Sequence, residues 1–189
     1  MSGKMIVISA PSGAGKTTIV KHLLQIPELE LQFSISACSR PAREGEVEGK
    51  DYYFMSVDEF RSKIDEDYFV EWEEVYHNNY YGTLKSEIDR ILGENKNVIF
   101  DLDVAGAMSI KRFYKENALS VFIQPPSIEE LEKRLRSRNL DSEDGIRRRV
   151  KKAKYEMTYV GKFDKVVLNE DLEKAKGETE QLVREYLKS

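Results

Sequence analysis

The sequence has 189 residues, of which 40% are hydrophobic and 34% are charged. This length predicts one compact domain with at most small inserted subdomains, and the composition is typical of a globular rather than a disordered chain. With 30 basic and 34 acidic residues, the formal net charge is −4. General nucleic-acid binders are more often basic, so nucleic acid is not an expected partner and any anion site must be local.

Few residues are available for disulfide or zinc chemistry. The single cysteine, Cys38, excludes an intrachain disulfide and a thiolate cluster. The two histidines, His22 and His77, are far apart and have no metal-ligand spacing, so both are expected to be ordinary surface or packing residues. No apolar run approaches the roughly 20 residues that span a membrane. We therefore expect a cytoplasmic protein without a membrane partner.

In chain order, short apolar runs alternate with segments of helical periodicity. Strands are predicted at 5–9, 97–102, 119–124 and 165–168, and helices at 17–24, 83–92, 105–114, 127–138, 143–159 and 171–187. Continuously apolar strands that alternate with helices are typical of a parallel sheet covered on both faces. The expected fold class is α/β, with a core at 1–32, 84–136 and 150–189.

Two stretches interrupt this alternation. Residues 33–83 hold most of the tyrosines, the only tryptophan and short mixed segments, which indicates a small β-rich insert. Residues 137–149 are polar, rich in arginine and aspartate, and lie between two predicted helices. This second stretch is predicted to be a mobile lid.

A phosphate-binding loop is predicted where the first strand meets the first helix. Its eight residues are Ala10, Pro11, Ser12, Gly13, Ala14, Gly15, Lys16 and Thr17. Glycines let the backbone wrap with its N–H groups inward, and the helix that follows adds the positive end of its dipole. The first position carries alanine where the motif has glycine. The alternative is a glycine-rich turn that contains Gly-Lys-Thr by chance.

The same loop predicts a magnesium site. Lys16 can reach the β- and γ-phosphates of a nucleoside triphosphate, and Thr17 offers a hydroxyl to Mg²⁺. Asp101, at the end of an apolar strand, resembles the acidic residue that helps to hold this ion. Alternatively, Asp101 caps the next turn, and Asp103 caps the helix that follows.

The insert carries residues suited to a monophosphate. Arg40 and Arg43, flanked by Ser36 and Tyr52, could clamp it through charge-assisted hydrogen bonds. The spacing S-x-x-x-R-x-x-R-x-x-E-x-x-G-x-x-Y-x-F runs from Ser36 to Phe54, and an E-W pair and a Y-Y-G-T run follow. Together with the phosphate loop, these motifs resemble the guanylate kinase family along nearly the whole chain.

The resemblance implies a three-layer P-loop kinase fold with a β-rich GMP-binding insert and a mobile lid. It also implies an ATP-dependent phosphorylation of GMP, and of dGMP, with Mg²⁺. By resemblance, the GMP site comprises Ser36, Arg40, Arg43, Glu46, Tyr52, Glu71, Tyr81, Thr83 and Asp103. Among these, Glu71 and Thr83 stand where the family reads guanine. A carboxylate can accept from two donors on the guanine edge, whereas adenine would leave it unpaired.

The resemblance also extends to residues of the lid and to a residue near the adenine base of ATP. Arg134, Arg138 and Arg149 resemble the arginines that close over the triphosphate, and with Lys16 and Arg40 they form the expected catalytic set. Asn139 stands where the family usually has glycine, which changes the expected local turn. Asn169 resembles a position near the adenine.

Two other functions remain open from the sequence. A guanylate-kinase-like module that binds a protein partner without catalysis would share the fold, although such modules typically have degraded phosphate loops. A kinase for another nucleotide or for a ribose phosphate is the other alternative, which Glu71 and Thr83 disfavour. The sequence does not distinguish a monomer from a homodimer.

Overall fold

The computed structural model describes residues 3–137 and 142–189. Within them the strands are β1 Met5–Ser9, β2 Leu31–Phe33, β3 Ala37–Cys38, β4 Tyr53–Phe54, β5 Phe69–Tyr76, β6 Asn79–Leu84, β7 Asn97–Leu102, β8 Ala118–Gln124 and β9 Lys165–Leu168. The helices are α1 Lys16–Leu24, α2 Val57–Asp65, α3 Lys85–Gly93, α4 Val104–Tyr114, α5 Ile128–Ser137, α6 Glu143–Met157 and α7 Leu172–Lys188. All four predicted strands and all six predicted helices are present, with small shifts at their ends.

The main sheet has five parallel strands in the order β2-β7-β1-β8-β9. Its central strand, β1, is fully buried because helices cover both faces of the sheet. Ile6 and Ile8 pack in a cluster with Ile19 of α1, whereas Met5 and Val7 pack in a second cluster on the opposite face. This alternation produces a three-layer core, as predicted, and brings the carboxyl ends of β1 and β7 to one edge of the sheet.

A second sheet follows the main-sheet strand β2. It has four strands in the order β4-β3-β6-β5, in which β6 pairs antiparallel with both β3 and β5. The insert also contains helix α2, which the sequence analysis missed. Ser56 caps this helix by accepting a hydrogen bond from the Glu59 N–H. Phe33 pairs with Ile99 in the main sheet, so the second sheet begins only at β3.

The insert has its own small core. Phe60 of α2 is fully buried and stacks on Phe69, with 4.4 Å between ring centroids, and on Tyr80 at 5.4 Å. Offset aromatic pairs of this kind add to the free energy gained by burial.

We expect Phe60→Ala to destabilise the insert by about 3–5 kcal/mol, because it leaves a cavity between two rings. Hydrogen exchange of the β5 and β6 amides should accelerate more than exchange in β1. The matched control is Phe113→Ala, since Phe113 is 55% exposed on α4. Equal protection of β5 and β6 in both variants would contradict a separate insert core.

One predicted helix start needs correction. Thr83 does not begin a helix: it lies in β6, and α3 starts at Lys85. Helix α6 begins at Glu143, as predicted, so residues 143–149 of the expected lid are helical. Arg138 and Asn139 lie outside the described residues. Within the described residues, none of the helices has the length and apolar character needed to cross a bilayer.

Candidate functional site

The loop between β1 and α1 has the backbone of an anion site. Gly13 and Gly15 both have φ of 94°, a left-handed conformation that side chains disfavour. Gly15 is also the N-cap of α1, and it has no side chain to occupy the end of the helix. The first N–H groups of α1 therefore open towards the loop, where they can bind an anion.

Lys16, Thr17 and Asp101 meet at the edge of the sheet. The Lys16 ammonium forms an ion pair with Asp101 and donates a hydrogen bond to the Leu102 carbonyl at 3.1 Å. The Thr17 hydroxyl lies 3.5 Å from Asp101 Oδ2. The structure thus brings together the three residues predicted for triphosphate and metal. Among the described residues, no cluster of three or more His, Cys, Asp or Glu side chains could hold a metal by itself.

A first cavity of about 350 Å³ lies over the loop. It is lined by Ala10, Pro11, Ser12, Gly13, Gly15, Lys16, Thr17, Thr18, Asp101, Asp103, Lys152 and Glu156. Ala14 instead is fully buried in the core beneath the loop. The Arg149 guanidinium of α6 donates a 2.7 Å hydrogen bond to the Ser12 hydroxyl, so this predicted lid arginine does lie at the loop.

Asn169 and Arg134 lie on the other side of the loop. The buried Asn169 amide donates a 2.7 Å hydrogen bond to the Ala14 carbonyl, and a Cβ on Gly15 would collide with it. The Arg134 guanidinium donates a hydrogen bond to the main-chain carbonyl of Asn169 at 3.2 Å. Both residues line a further cavity of about 350 Å³ that also touches Gly13 and Gly15. In this structure Arg134 therefore flanks the loop and does not line the cavity over it.

A second cavity, of about 330 Å³, lies between the insert and the main sheet. Its lining includes five residues predicted for the GMP site, namely Ser36, Tyr52, Glu71, Tyr81 and Asp103. Thr83 is buried behind Glu71. Among the residues that the structure describes, Asp101, Asp103 and Lys152 line both the first and the second cavity. The two cavities therefore meet at these three side chains.

Arg40 does not line the second cavity itself, but it contacts the lining residues Tyr52 and Tyr81. Its guanidinium makes two 2.7 Å hydrogen bonds to the Glu46 carboxylate, and its Nε donates to the Tyr81 hydroxyl at 3.0 Å. The Arg40 hydrogen bonds lower the pKa of Glu46 to about 2. Glu46 therefore orients Arg40 instead of lining the cavity. Arg43 is exposed outside the lining, and its main-chain N–H donates to Glu46.

Glu71 lies deep in the second cavity. The Thr83 hydroxyl donates a hydrogen bond to Glu71 Oε1 at 2.5 Å. A Cβ atom placed on Gly106 would lie only 3.0 Å from Glu71 Oε2. Gly106 thus leaves room for the carboxylate. Burial raises the pKa of Glu71 to about 7, and the nearby Asp103 adds to this effect. The site therefore holds a desolvated carboxylate, whose ionised form would be stabilised by two hydrogen-bond donors from a ligand.

Asp103 caps helix α4, as the alternative from the sequence predicted. Its Oδ1 accepts from the N–H groups of Ala105 and Gly106 at 3.1 and 3.0 Å. Burial disfavours its charge, but the Gly106 N–H and the neighbouring Glu73 and Lys152 outweigh burial and keep the pKa of Asp103 below its usual value. Asp103 also lines both cavities, so it caps the helix and belongs to the site at the same time.

Four charged residues around the cavities were not predicted from the sequence. Glu73, Lys152 and Glu156 line the cavities, and burial raises the pKa of Glu156 to about 7. Arg149, Lys152 and Glu156 have the i, i+3, i+7 spacing of one helix face, a signal that was available in the sequence.

The fourth missed residue, Glu87, links the insert to the main sheet. This buried carboxylate accepts hydrogen bonds from the Ile35 N–H at 3.1 Å and from the Tyr53 hydroxyl at 2.8 Å. It also pairs with Arg90 on its own helix. Because Ile35 connects β2 with β3, Glu87 fixes the place where the insert leaves the core.

The sequence and the fold have counterparts among known proteins. The guanylate kinase family model matches residues 2–186. A guanylate kinase from Bacteroides thetaiotaomicron is 51% identical over 99% of this chain and 91% of its own length. One from Porphyromonas gingivalis is 56% identical over 89% of this chain and 90% of its own. The crystal structure of guanylate kinase from Anaplasma phagocytophilum is 30% identical, with a TM-score of 0.77 over 100% of this chain and 88% of that one.

Proposed function

Because this chain belongs to the guanylate kinase family, we propose that it transfers the γ-phosphate of ATP to GMP and, with the same residues, to dGMP. The observation that supports this most directly is the meeting of two cavities at Asp101, Asp103 and Lys152. One cavity carries the phosphate loop, and the other carries a buried carboxylate with a hydroxyl partner. A donor and an acceptor nucleotide can therefore meet end to end.

ATP occupies the first cavity in this proposal. The loop N–H groups and the N-terminus of α1 bind its phosphates, and Lys16 turns from Asp101 to the γ-phosphate. Arg149 reaches the phosphates from its place beside Ser12. The base lies in the cavity that Arg134 and Asn169 line.

Mg²⁺ accompanies ATP, and the oxygen donors present fit this ion. Thr17 and Asp101 are adjacent, and a hard cation that keeps several waters and binds phosphate oxygens needs few protein ligands. When bound, the ion neutralises charge on the β- and γ-phosphates. The chain contributes the Thr17 hydroxyl, the Asp101 carboxylate and the orientation of both.

GMP occupies the second cavity. Glu71 accepts from the guanine N1–H and the exocyclic amine, while the Thr83 hydroxyl donates a further hydrogen bond to Glu71 Oε1. Ser36, Tyr52, Tyr81 and Arg40 bind the phosphate, and Glu46 orients Arg40. Arg43 is proposed to join them by a movement of its exposed segment, since it lies outside the cavity lining.

The transfer needs no general base, because the acceptor phosphate oxygen is already anionic. Catalysis then comes from alignment of this oxygen with the γ-phosphorus and from cations around the transferred group. We include Lys16, Arg40, Arg134, Arg138 and Arg149 in the catalytic set. Cytoplasmic location stays a prediction from the sequence, and the oligomeric state, monomer or homodimer, stays open.

A coupled assay of ATP with GMP, dGMP, AMP, CMP and UMP tests this function. We expect GMP and dGMP to be phosphorylated and AMP to be a poorer acceptor by a factor on the order of 10³, because adenine leaves Glu71 unpaired. Efficient turnover of AMP with none of GMP would refute the assignment. The inactive binding module has no support from this structure or from the named relatives, and GMP turnover would exclude it.

A further inference from the structure

Lys152 has an unusual place between the two cavities. It lies on α6, one turn after Arg149, and its side chain lines both the phosphate-loop cavity and the insert cavity. The other two residues shared by the cavities, Asp101 and Asp103, are acidic. Among the described residues, Lys152 is the cationic side chain that lines both cavities, whereas Lys16, which pairs with Asp101, lines only the first.

The contacts of Lys152 are weak in this structure. Its Nζ is 3.5 Å from Asp103 Oδ2 and 3.9 Å from Glu156 Oε1, both at the long end of ion-pair distances. The side chain is 53% exposed. Exposed pairs of this length contribute little, so the ammonium can turn to a stronger anion at small cost. Asp103 keeps its two hydrogen bonds from the α4 backbone whether or not Lys152 is present.

We propose that Lys152 is a bridging cation, which contacts the phosphates of both nucleotides when they meet at the junction. This inference rests on the proposed function and adds a residue to it. Two phosphate groups that approach each other repel strongly, and charge on the transferred group spreads over its oxygens in the transition state. An ammonium at the junction offsets this repulsion only when both cavities are occupied.

The bridging role predicts a specific pattern of changes in kcat and in dissociation constants. Lys152→Met should lower kcat on the order of tenfold or more, by analogy with the loss of one electrostatic contact to a transition state. It should also weaken a bisubstrate analogue, in which a polyphosphate chain links adenosine and guanosine, by a similar factor. The dissociation constants of GMP alone and of ADP alone should change less than about threefold, because neither ligand fills both cavities. Lys152→Arg should recover part of both losses.

The experiment compares wild type, Lys152→Met, Lys152→Arg and Lys151→Met by steady-state kinetics and by calorimetric titration of the three ligands. Lys151 is the matched control, since it is an exposed lysine of the same helix. A kcat of Lys152→Met within about threefold of the Lys151→Met value would overturn the proposal, and so would a parallel loss of affinity for GMP alone. If wild type itself fails to phosphorylate GMP, the proposed function is refuted as well. Turnover by wild type and Lys151→Met therefore separates the two failures.

Discussion

Replacing Lys16 by methionine should lower kcat/KM for ATP by about 10³-fold, which corresponds to roughly 4 kcal/mol of transition-state stabilisation. Methionine keeps the length of the side chain and removes only the ammonium. Lys16 stands at the start of α1, where its charge adds to that of the helix N-terminus and the loop N–H groups. A coupled assay at saturating GMP measures the loss.

The fold should survive this substitution. Lys16 is partly exposed and makes its contacts at the edge of the sheet, not in either core cluster. The control is Lys21→Met, an exposed lysine on the same helix, which should turn over like wild type. Activity of Lys16→Met within about tenfold of this control, with an unchanged melting temperature, would remove Lys16 from the catalytic set.

The second large effect is expected at Glu71. Glu71→Gln should lower kcat/KM for GMP by about 10²–10³-fold, because the amide nitrogen would face guanine donors and leave buried donors unpaired. The affinity for ADP should stay within about threefold, since Glu71 lines the second cavity and not the first. Titration calorimetry with GMP and ADP distinguishes these two effects.

The control is Glu59→Gln, which removes the same charge from an exposed position on α2. Loss of GMP affinity in both variants would show that net charge of the insert, not guanine recognition, is responsible. Equal GMP affinity in Glu71→Gln and wild type would contradict the role of Glu71.

The raised pKa of Glu71 adds a pH signature to the same pair of proteins. Only the ionised carboxylate accepts from both guanine donors, and its pKa in the free protein is about 7. The kcat/KM for GMP should therefore rise with pH through about 7 and level off above it. The phosphate of GMP also titrates, at a pH of about 6, and it affects the profiles of wild type and Glu71→Gln equally. The difference between wild type and Glu71→Gln thus isolates Glu71, and identical profiles would contradict this account.

The core of the fold could be predicted because its strands are apolar on both faces. Strands β1, β7 and β9 match the predicted ranges, since each contains an unbroken apolar run: 5–8, 98–100 and 166–168. Strand β2 was missed because its three residues form no periodicity of their own, and only pairing with β7 identifies it. Helix α2 was missed although Ser56 and Glu59 have capping-box spacing ahead of Phe60.

The site was predicted less completely, for a physical reason. Motif spacing identified residues on the loop and the insert, but it could not show that Arg40 is held by Glu46 beside the cavity while Arg43 is exposed. The role of Glu87 depends on contacts between elements that are distant along the chain. Such contacts exist only after the helices pack, so local pattern carries little information about them.

The hydrogen bond from Asn169 to Ala14 has a consequence for nucleotide affinity. It joins the phosphate loop to a residue 155 positions later in the chain, and it holds the loop in shape from the core side. A loop that is already ordered loses little conformational entropy when phosphate binds, so less of the interaction free energy is spent on rigidifying it. We therefore expect the affinity for ATP to depend on this side chain behind the loop as well as on the residues that face the phosphates.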